Sequence, residues 1–163
     1  MGENSRLTLY EDDFNADDNV REDVVQLVVF RVSGEWYAVE MKSVREVVTF
    51  DRITFLPSSP EHVAGIFNLR GNILSVTDMK RIFGLSSSEI TEKSRLVVIE
   101  SGVCETGLLV DEVDEPVDVA VSKIVLPLAT IAPERAEYLS GTYNLGKKFI
   151  GILRPERILQ VKK

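Results

Sequence analysis

The sequence predicts a mainly β fold, because short apolar segments alternate with brief turns along most of the chain. Residues 24–32 form a run rich in β-branched side chains, and a turn at residues 33–35 separates it from a second run that begins at Trp36. Residues 95–100 and 105–110 repeat this hairpin pattern around a Ser-Gly turn. Two such hairpins favour a barrel or a sandwich over a parallel sheet with crossover helices.

Length and charge limit the possible organisation. The chain has 163 residues, of which 44% are hydrophobic, enough for one domain with a substantial core. Residues 1–23 carry eight acidic and two basic side chains, a net charge of −6, which leaves −1 of the total of −7 for the remainder. We expect residues 1–23 to be an acidic, disordered leader and residues 24–161 to form a single domain. Because the rest of the chain is almost neutral and offers no basic surface, we expect no binding to nucleic acid.

The central stretch of the chain predicts a short helix. Ser59 can cap that helix, and Pro60 fits its first turn without losing a needed donor. The apolar residues that follow at helical spacing are Val63, Ile66 and Phe67. Gly65 inside this segment keeps the predicted helix short, since an interior glycine is unfavourable in a helix.

A turn and a strand are predicted next. Asn68–Gly71 is expected to turn the chain into an apolar strand at Asn72–Val76, and Asp78 to cap a short helix that ends at Gly84. Arg70 therefore lies at a corner between two elements. Its guanidinium either clamps local groups as part of the fold or is presented to a partner as a planar set of donors. Both interpretations stay open.

The other predicted elements are short. Valines 44, 47 and 48 follow helical spacing, which predicts one or two helical turns there. Further along, we expect strands at residues 52–56, 117–121 and 149–153, a helix from Pro133 to near Gly141, and a terminal turn at residues 155–161 that docks on the core. A hairpin, a short strand and a helix that begins with proline occur in each half, a faint internal echo.

No set of catalytic or metal-binding residues stands out. One histidine, His62, and one cysteine, Cys104, are too few for a zinc site and exclude an internal disulfide. Residues 141–148, GTYNLGKK, match a phosphate-binding loop except that Lys148 replaces the hydroxyl residue, and the predicted helix precedes rather than follows them. The sequence therefore predicts a binding or scaffolding protein without a cofactor, not an enzyme. No signal peptide or apolar run of about 18 residues is present, so we expect a soluble cytoplasmic protein.

Several motifs carry a resemblance to a known family. Residues 63–79, VAGIFNLRGNILSVTDM, and residues 107–113, GLLVDEV, are similar to motifs of the CheW-like domain of bacterial chemosensory arrays. The segments Trp36–Val39 and Val44–Val47 also fit. The resemblance extends from about Val24 to Val161.

The resemblance implies a fold of two small, intertwined, five-stranded SH3-like β-barrels with a few short helices. It also implies a non-catalytic adaptor in chemotaxis signal transduction, which joins the cytoplasmic tips of methyl-accepting chemoreceptors to the regulatory domain of the histidine kinase CheA. In the family, a groove between the barrels receives the receptor tip, and both barrels can offer edges to the kinase or to other CheW-like domains. The implied location is the cytoplasm at membrane-associated receptor arrays, without direct membrane insertion.

The resemblance also assigns partner-binding roles to individual residues. They are Val44, Glu46, Val47, Gly65, Asn68 and Arg70. The three residues on the first segment match the family's region near the receptor groove and the kinase contact, and Arg70 matches the arginine associated with coupling. Gly65 either lets its segment pack closely against a neighbour or simply makes the fold.

Two positions depart from the family pattern, and one alternative function stays open. Ser75 stands where the family commonly has proline, and Arg154 where an aspartate is common, which leaves open whether the pathway is chemotaxis or another chemosensory system. The alternative is a small β-barrel module that binds a ligand or nucleic acid. A nucleic-acid module would need a basic face with exposed aromatic side chains, and the net charge has the opposite sign.

Overall fold

The computed structural model describes residues 23–86, 89–127, 129 and 131–160, and within them it confirms the mainly β fold class. The strands are β1 (Val24–Val32), β2 (Glu35–Glu40), β3 (Val44–Val48), β4 (Val63–Leu69), β5 (Asn72–Asp78), β6 (Arg95–Ser101), β7 (Cys104–Val110), β8 (Glu112–Val113), β9 (Val117–Ala120), β10 (Leu139–Leu145) and β11 (Lys148–Leu153). The helices are α1 (Met79–Ile82), α2 (Pro133–Ala136) and α3 (Pro155–Leu159). The leader predicted at residues 1–23 lies outside the described residues except for Asp23.

The strands form two sheets, and each sheet includes strands from both halves of the chain. One sheet has five strands in the order β3-β6-β7-β5-β4, and the other has the order β10-β11-β2-β1-β8 with β9 also paired to β1. Each sheet therefore contains a hairpin from the other half of the chain: β6–β7 lies between β3 and β5, and β1–β2 lies beside β11. The junctions β5–β7 and β11–β2 are parallel, whereas the hairpins are antiparallel. Neither half of the chain can complete its sheet alone.

The structure contains an internal repeat, but its helices are not those of the echo predicted from the sequence, because no helix forms at Pro60. The hairpin β4–β5 followed by α1 matches the hairpin β10–β11 followed by α3. Both hairpins have a register shift near their start, between Val63 and Gly65 and between Leu139 and Gly141. Both first strands also pair with an incoming segment through one isolated bridge, at Thr54 in one half and at Val125 in the other. The two sheets of the described residues are open, with five and six strands, whereas the resemblance implies two five-stranded barrels, and these bridges extend the sheet edges.

The core has one shared part and two local parts. The shared cluster includes Phe30 and Val39 of one sheet, Val97 and Leu108 of the other, and Ile158 of α3. A second cluster belongs to the six-stranded sheet, and a third, smaller cluster to the five-stranded sheet. Burial of the shared cluster holds the two sheets together, since apolar area removed from water is the dominant favourable term in folding. The terminal segment docks on this core as predicted, as far as residue 160.

Two predicted helices are wrong. Residues 59–67 do not form a helix, because the chain from Val63 onwards is β4, paired with β5. Residues 44–48 are β3, paired with β6, and a 3-10 turn at Met41–Ser43 precedes them. In both segments the partner strand supplies the backbone hydrogen bonds. Strand pairing therefore decides the structure, although the spacing of the apolar residues also fits a helix.

Three further predictions are corrected in part. The strand expected at residues 52–56 is reduced to the single bridge at Thr54. The helix from Pro133 ends at Ala136, and Leu139 already belongs to β10. The Gly141–Lys148 segment is the β10–β11 hairpin, as expected of a coincidental match to the phosphate-binding loop.

Candidate functional site

Glu46 and Arg70 form an ion pair that bridges two distant parts of the five-stranded sheet. Glu46 lies on the edge strand β3, whereas Arg70 lies in the turn after β4, the opposite edge strand. Arg70 Nη2 donates a hydrogen bond to Glu46 Oε2 at 2.5 Å. The sheet must therefore curl enough to bring its two edges within side-chain reach. The structure thus places two of the expected partner-binding residues together.

The turn holds Arg70 in a constrained backbone conformation. Arg70 has a φ of +50° and Gly71 a φ of +91°, as expected for a two-residue hairpin turn with left-handed residues. The Asn68 side chain accepts a hydrogen bond from the Gly71 backbone N–H at 2.8 Å. Asn68 therefore stabilises the turn that presents Arg70, a role in addition to the partner contact expected of it.

The electrostatics of the pair are those of an exposed interaction. The hydrogen bond from Arg70 lowers the pKa of Glu46, and the same contact raises the pKa of Arg70. The side chain of Arg70 is 68% exposed, and that of Glu46 is 26% exposed. Exposed ion pairs contribute little to stability, because water screens them and two long side chains must be ordered. The pair is a weak clamp, and most of the guanidinium surface remains accessible.

A second ion pair on the same sheet offers a matched comparison. Arg45 Nη1 donates to Glu105 Oε1 at 2.7 Å, joining β3 to β7. Its arginine is 41% exposed and its glutamate 28% exposed, so the two pairs resemble each other in type and burial. The two ion pairs differ in position, because only the Glu46–Arg70 pair involves the hairpin turn after β4.

β3 has three valines, of which Val44 lies at the junction between the sheets and Val48 packs against the core cluster of the five-stranded sheet. Val44 is half-buried and packs against the shared core, as do Met41 and Val113 from neighbouring elements. Val47 is exposed and adds apolar surface on the same strand. A register shift between Val44 and Glu46 interrupts the simple alternation of the two faces of β3. Sequence reasoning missed Met41 and Val113, since only the fold brings them to this rim.

Gly65 makes room for a neighbouring segment. A Cβ atom added at Gly65 would lie 2.3 Å from the Thr54 carbonyl oxygen and 2.7 Å from Cγ2 of Ile53. The close approach allows Thr54 and Ile66 to exchange two backbone hydrogen bonds, of 2.8 and 2.9 Å. Gly65 therefore has a fold role, through the packing of a strand and not of the helix expected from the sequence.

Each half of the repeat presents exposed apolar side chains near its edge bridge. We call Phe55, Leu56 and Ile73 the first edge set, and Val125, Leu126 and Phe149 the second edge set. The two sets occupy related places, because each contains residues beside the bridging segment and one residue early in the second strand of the hairpin. Exposed large apolar residues in such groups are typical of interaction surfaces.

Comparison with known proteins agrees with this architecture. The family model for the CheW-like domain matches residues 26–163. The chain belongs to the CheW-like family. It is 29% identical over 142 residues to chemotaxis protein CheW of Helicobacter pylori, covering 85% of this chain and 84% of the relative. It is 32% identical over 131 residues to chemotaxis protein CheW of Thermotoga maritima, covering 80% and 78%.

A solved structure of the family shows the same fold. The crystal structure of scaffolding protein TtCheW from Thermoanaerobacter tengcongensis superposes with a TM-score of 0.76 at 30% identity, covering 85% of this chain and 94% of that chain. The intertwined two-sheet arrangement is therefore the arrangement of CheW-like domains.

The two departures from the CheW-like pattern have local explanations. The Ser75 hydroxyl lies 2.9 Å from Thr106 Oγ1, which in turn donates to the Ser75 carbonyl and lies 2.9 Å from Thr77 Oγ1. Serine thus joins a small hydroxyl network between β5 and β7. Arg154 precedes α3 and donates from Nε to the Leu139 carbonyl at 3.1 Å, which ties the helix start to β10.

The described part of this CheW-like domain contains no group of three or more His, Cys, Asp or Glu side chains placed to hold a metal ion. Across the same residues, no helix is long and apolar enough to cross a membrane. Cys104 is exposed and lies at the start of β7.

Proposed function

We propose that this CheW-like protein is a non-catalytic adaptor that couples the cytoplasmic tips of methyl-accepting chemoreceptors to the regulatory domain of the histidine kinase CheA. The observation that carries the proposal is the exposed Glu46–Arg70 pair beside apolar rim residues, in a fold shared with a protein described as a scaffold. The adaptor acts in the cytoplasm at membrane-associated receptor arrays, and it does not insert into the membrane.

The receptor side of the proposal rests on the junction between the sheets. Met41, Val44 and Val113 line the rim of the shared core, and Val47 extends the apolar surface outward. A helical hairpin can bury an apolar face in such a groove, with side chains at helical spacing as anchors. The receptor tip therefore binds along this rim.

The kinase side rests on the two edge sets. Because the halves of the chain repeat one structure, the first and second edge sets offer related apolar surfaces to a domain built in the same way. The regulatory domain of CheA, or another CheW-like domain, binds at one or both of these edges. Receptor contact and kinase contact then share one small rigid body.

Arg70 connects the two sides. Its turn belongs to the hairpin that contributes Ile73 to the first edge set, while its partner Glu46 lies between Val44 and Val47 of the receptor rim. Coupling between sites needs differential contact of about 1–3 kcal/mol, and loss of one interface arginine can remove that amount. A pair that contributes little to folding can therefore contribute much to coupling.

The decisive experiment compares arginine variants at matched positions. Arg70→Ala is expected to remain folded and to impair receptor or kinase coupling by about 10-fold, which corresponds to about 1.4 kcal/mol. Arg45→Ala removes the matched exposed arginine of the Glu105 pair and is expected to keep coupling. The double variant with Glu46→Arg and Arg70→Glu keeps a pair of opposite charges but reverses its direction. If the arginine is only a clamp, this swap restores coupling. If a partner contacts the guanidinium, it does not.

Co-sedimentation measures the outcome. The purified protein is mixed with receptor-containing membranes, with and without CheA from the same organism, and kinase activity is followed in the mixture. Binding to both partners with altered kinase activity supports the adaptor. A folded wild-type protein that binds neither partner refutes it, and an Arg70→Ala protein that unfolds favours the clamp interpretation of Arg70.

A further inference from the structure

A cavity of about 710 Å³ lies on the six-stranded sheet, away from the Glu46–Arg70 pair. Residues of β2, β10 and β11 line it on one side, and the segment that leads into α2 lines it on the other. Small-molecule sites in proteins usually measure about 300–1,000 Å³ and are concave and largely apolar. The cavity falls within this class by size.

Aromatic side chains form much of the lining. Tyr37 comes from β2, Phe149 from β11, and Phe83 from the residue after α1. The rings of Tyr37 and Phe83 contact each other, with their centroids 5.2 Å apart. Ile131 and Leu139 add aliphatic surface. Such walls favour a flat apolar ligand, because stacked aromatic contacts add to the gain from burying apolar area.

Two of the three charged groups that line the cavity, Glu35 and Arg135, are paired with each other. Glu35 accepts a hydrogen bond from the Tyr37 hydroxyl at 2.9 Å and forms an ion pair with Arg135. The guanidinium of Arg135 also lies 5.6 Å from the centre of the Phe83 ring. Glu134 is exposed to solvent. An anionic ligand would lose hydration here, would meet no unpaired positive charge among the lining residues, and would lie near the Glu134 carboxylate, so the lining selects against anions.

One polar group in the lining has no partner among the described residues. Thr142 is completely buried, and its Oγ1 makes no hydrogen bond to any residue that the structure describes. Its backbone is fully engaged in the bridge to Val125. Because buried polar groups are nearly always paired, an unpaired hydroxyl at the wall of a cavity indicates where a ligand group could bond after a small adjustment of the side chain.

We propose that this cavity binds an uncharged aromatic small molecule with one hydroxyl-like polar group, which packs against the exposed ring of Phe149 and hydrogen-bonds to Thr142. The cavity shares Phe149 with the second edge set, but none of its lining residues belongs to the Glu46–Arg70 pair or to the first edge set. It adds a ligand-binding capacity to the adaptor. It is tested on the protein alone, so its failure and the failure of the coupling proposal are distinguishable.

The first test uses 2-naphthol as the probe and follows its fluorescence and the NMR shifts of the full chain. Saturable binding is expected, and the anionic analogue 2-naphthoate is expected to bind at least about tenfold more weakly, because no unpaired positive charge compensates its carboxylate. The proposal is overturned if wild-type protein shows no saturable binding of 2-naphthol, or if 2-naphthoate binds equally well.

The second test uses variants. Thr142→Val removes the hydroxyl at nearly constant side-chain volume. It is expected to weaken 2-naphthol binding about fivefold, the change in affinity expected from the loss of one hydrogen bond, and to leave naphthalene binding unchanged. A merely structural role of Thr142 would change both probes alike, and that result overturns the assigned contact.

A blocking variant locates the site. Ala132→Trp places a large ring at the exposed cavity rim and is expected to abolish saturable binding without unfolding the chain. Val103→Trp at the fully exposed tip of the β6–β7 hairpin is the matched control and is expected to bind normally. Normal binding by a folded Ala132→Trp protein would place the ligand elsewhere and overturn the proposal.

Discussion

Gly65→Ala is expected to destabilise the fold, because its Cβ would collide with backbone. The new Cβ would lie 2.3 Å from the Thr54 carbonyl oxygen and 2.9 Å from the Thr54 carbonyl carbon. Neither atom can swing aside as the end of a flexible side chain can. The chain must therefore move the segment around Thr54 away from β4.

The size of the effect follows from what the movement breaks. Two backbone hydrogen bonds join Thr54 and Ile66, and each contributes about 1 kcal/mol net. The φ of +155° at Gly65 adds about 1 kcal/mol of strain for a residue with a Cβ. We expect a loss of about 3 kcal/mol in the free energy of unfolding, a large part of the 5–15 kcal/mol typical of a domain.

Two other glycines serve as controls. Gly102 has a φ of +63°, and an added Cβ there would meet no atom within 4 Å, so Gly102→Ala is expected to cost only the strain of about 1 kcal/mol. Gly141 is the counterpart of Gly65 in the repeat. Its added Cβ would lie 2.6 Å from Cγ2 of Ile124 and 2.9 Å from the Val125 carbonyl oxygen, so Gly141→Ala is expected to fall between the two.

Urea unfolding followed by Trp36 fluorescence measures all three variants. A Gly65→Ala protein that loses no more stability than Gly102→Ala would refute the backbone collision as the reason for this glycine. If such a stable protein also failed to bind receptor or kinase, Gly65 would be an interface residue instead.

Three further predictions concern buried groups. Asp111→Ala is expected to cost about 2 kcal/mol, because Lys80 is buried and would lose the carboxylate 2.7 Å from its Nζ; urea unfolding tests this, and Lys80→Met in the same chain should recover part of the loss. Thr142→Val is expected to raise the free energy of unfolding by about 1 kcal/mol, because it removes a buried hydroxyl without a partner, and an unchanged or lower value would contradict that reasoning. Burial raises the pKa of the Tyr37 hydroxyl, with the Glu35 contact as a second cause, so stability is present below the unfolded pKa of about 10 and is lost as the pH rises above it. Tyr37→Phe should flatten this alkaline decline in unfolding curves measured from pH 8 to 11, whereas an unaltered decline would assign it to other groups.

Local features of the fold were predictable from the sequence. The β1–β2 and β6–β7 hairpins were predicted because each joins strands that are close in sequence, with turn residues between them. The start of α1 was predicted from Asp78, because aspartate commonly caps helices. In the structure its side chain accepts a hydrogen bond from the Lys80 N–H. These features need only neighbouring residues, so local chemistry determines them.

The edge segments depended on tertiary structure. β3 pairs with β6, which lies far along the chain, and β4 receives the bridge from Thr54 while pairing with β5. The apolar spacing in both segments fits a helix, and only the partner strands decide against it. Gly65 shows the same limit, since its close approach to Thr54 has no signal in the local sequence.

The candidate site also combines features that the sequence predicts with features that only the tertiary structure decides. The residues themselves, through their resemblance to a family, single out Glu46, Asn68 and Arg70 and imply a partner-binding role. The intertwined sheets decide that Glu46 and Arg70 touch, that Asn68 holds the turn, and that Met41 and Val113 pack against the same shared core. The sequence by itself determined the family, the hairpins and the helix cap, because these depend on residues close along the chain. The tertiary structure decided which distant residues share a surface, because each sheet is completed by a hairpin from the other half.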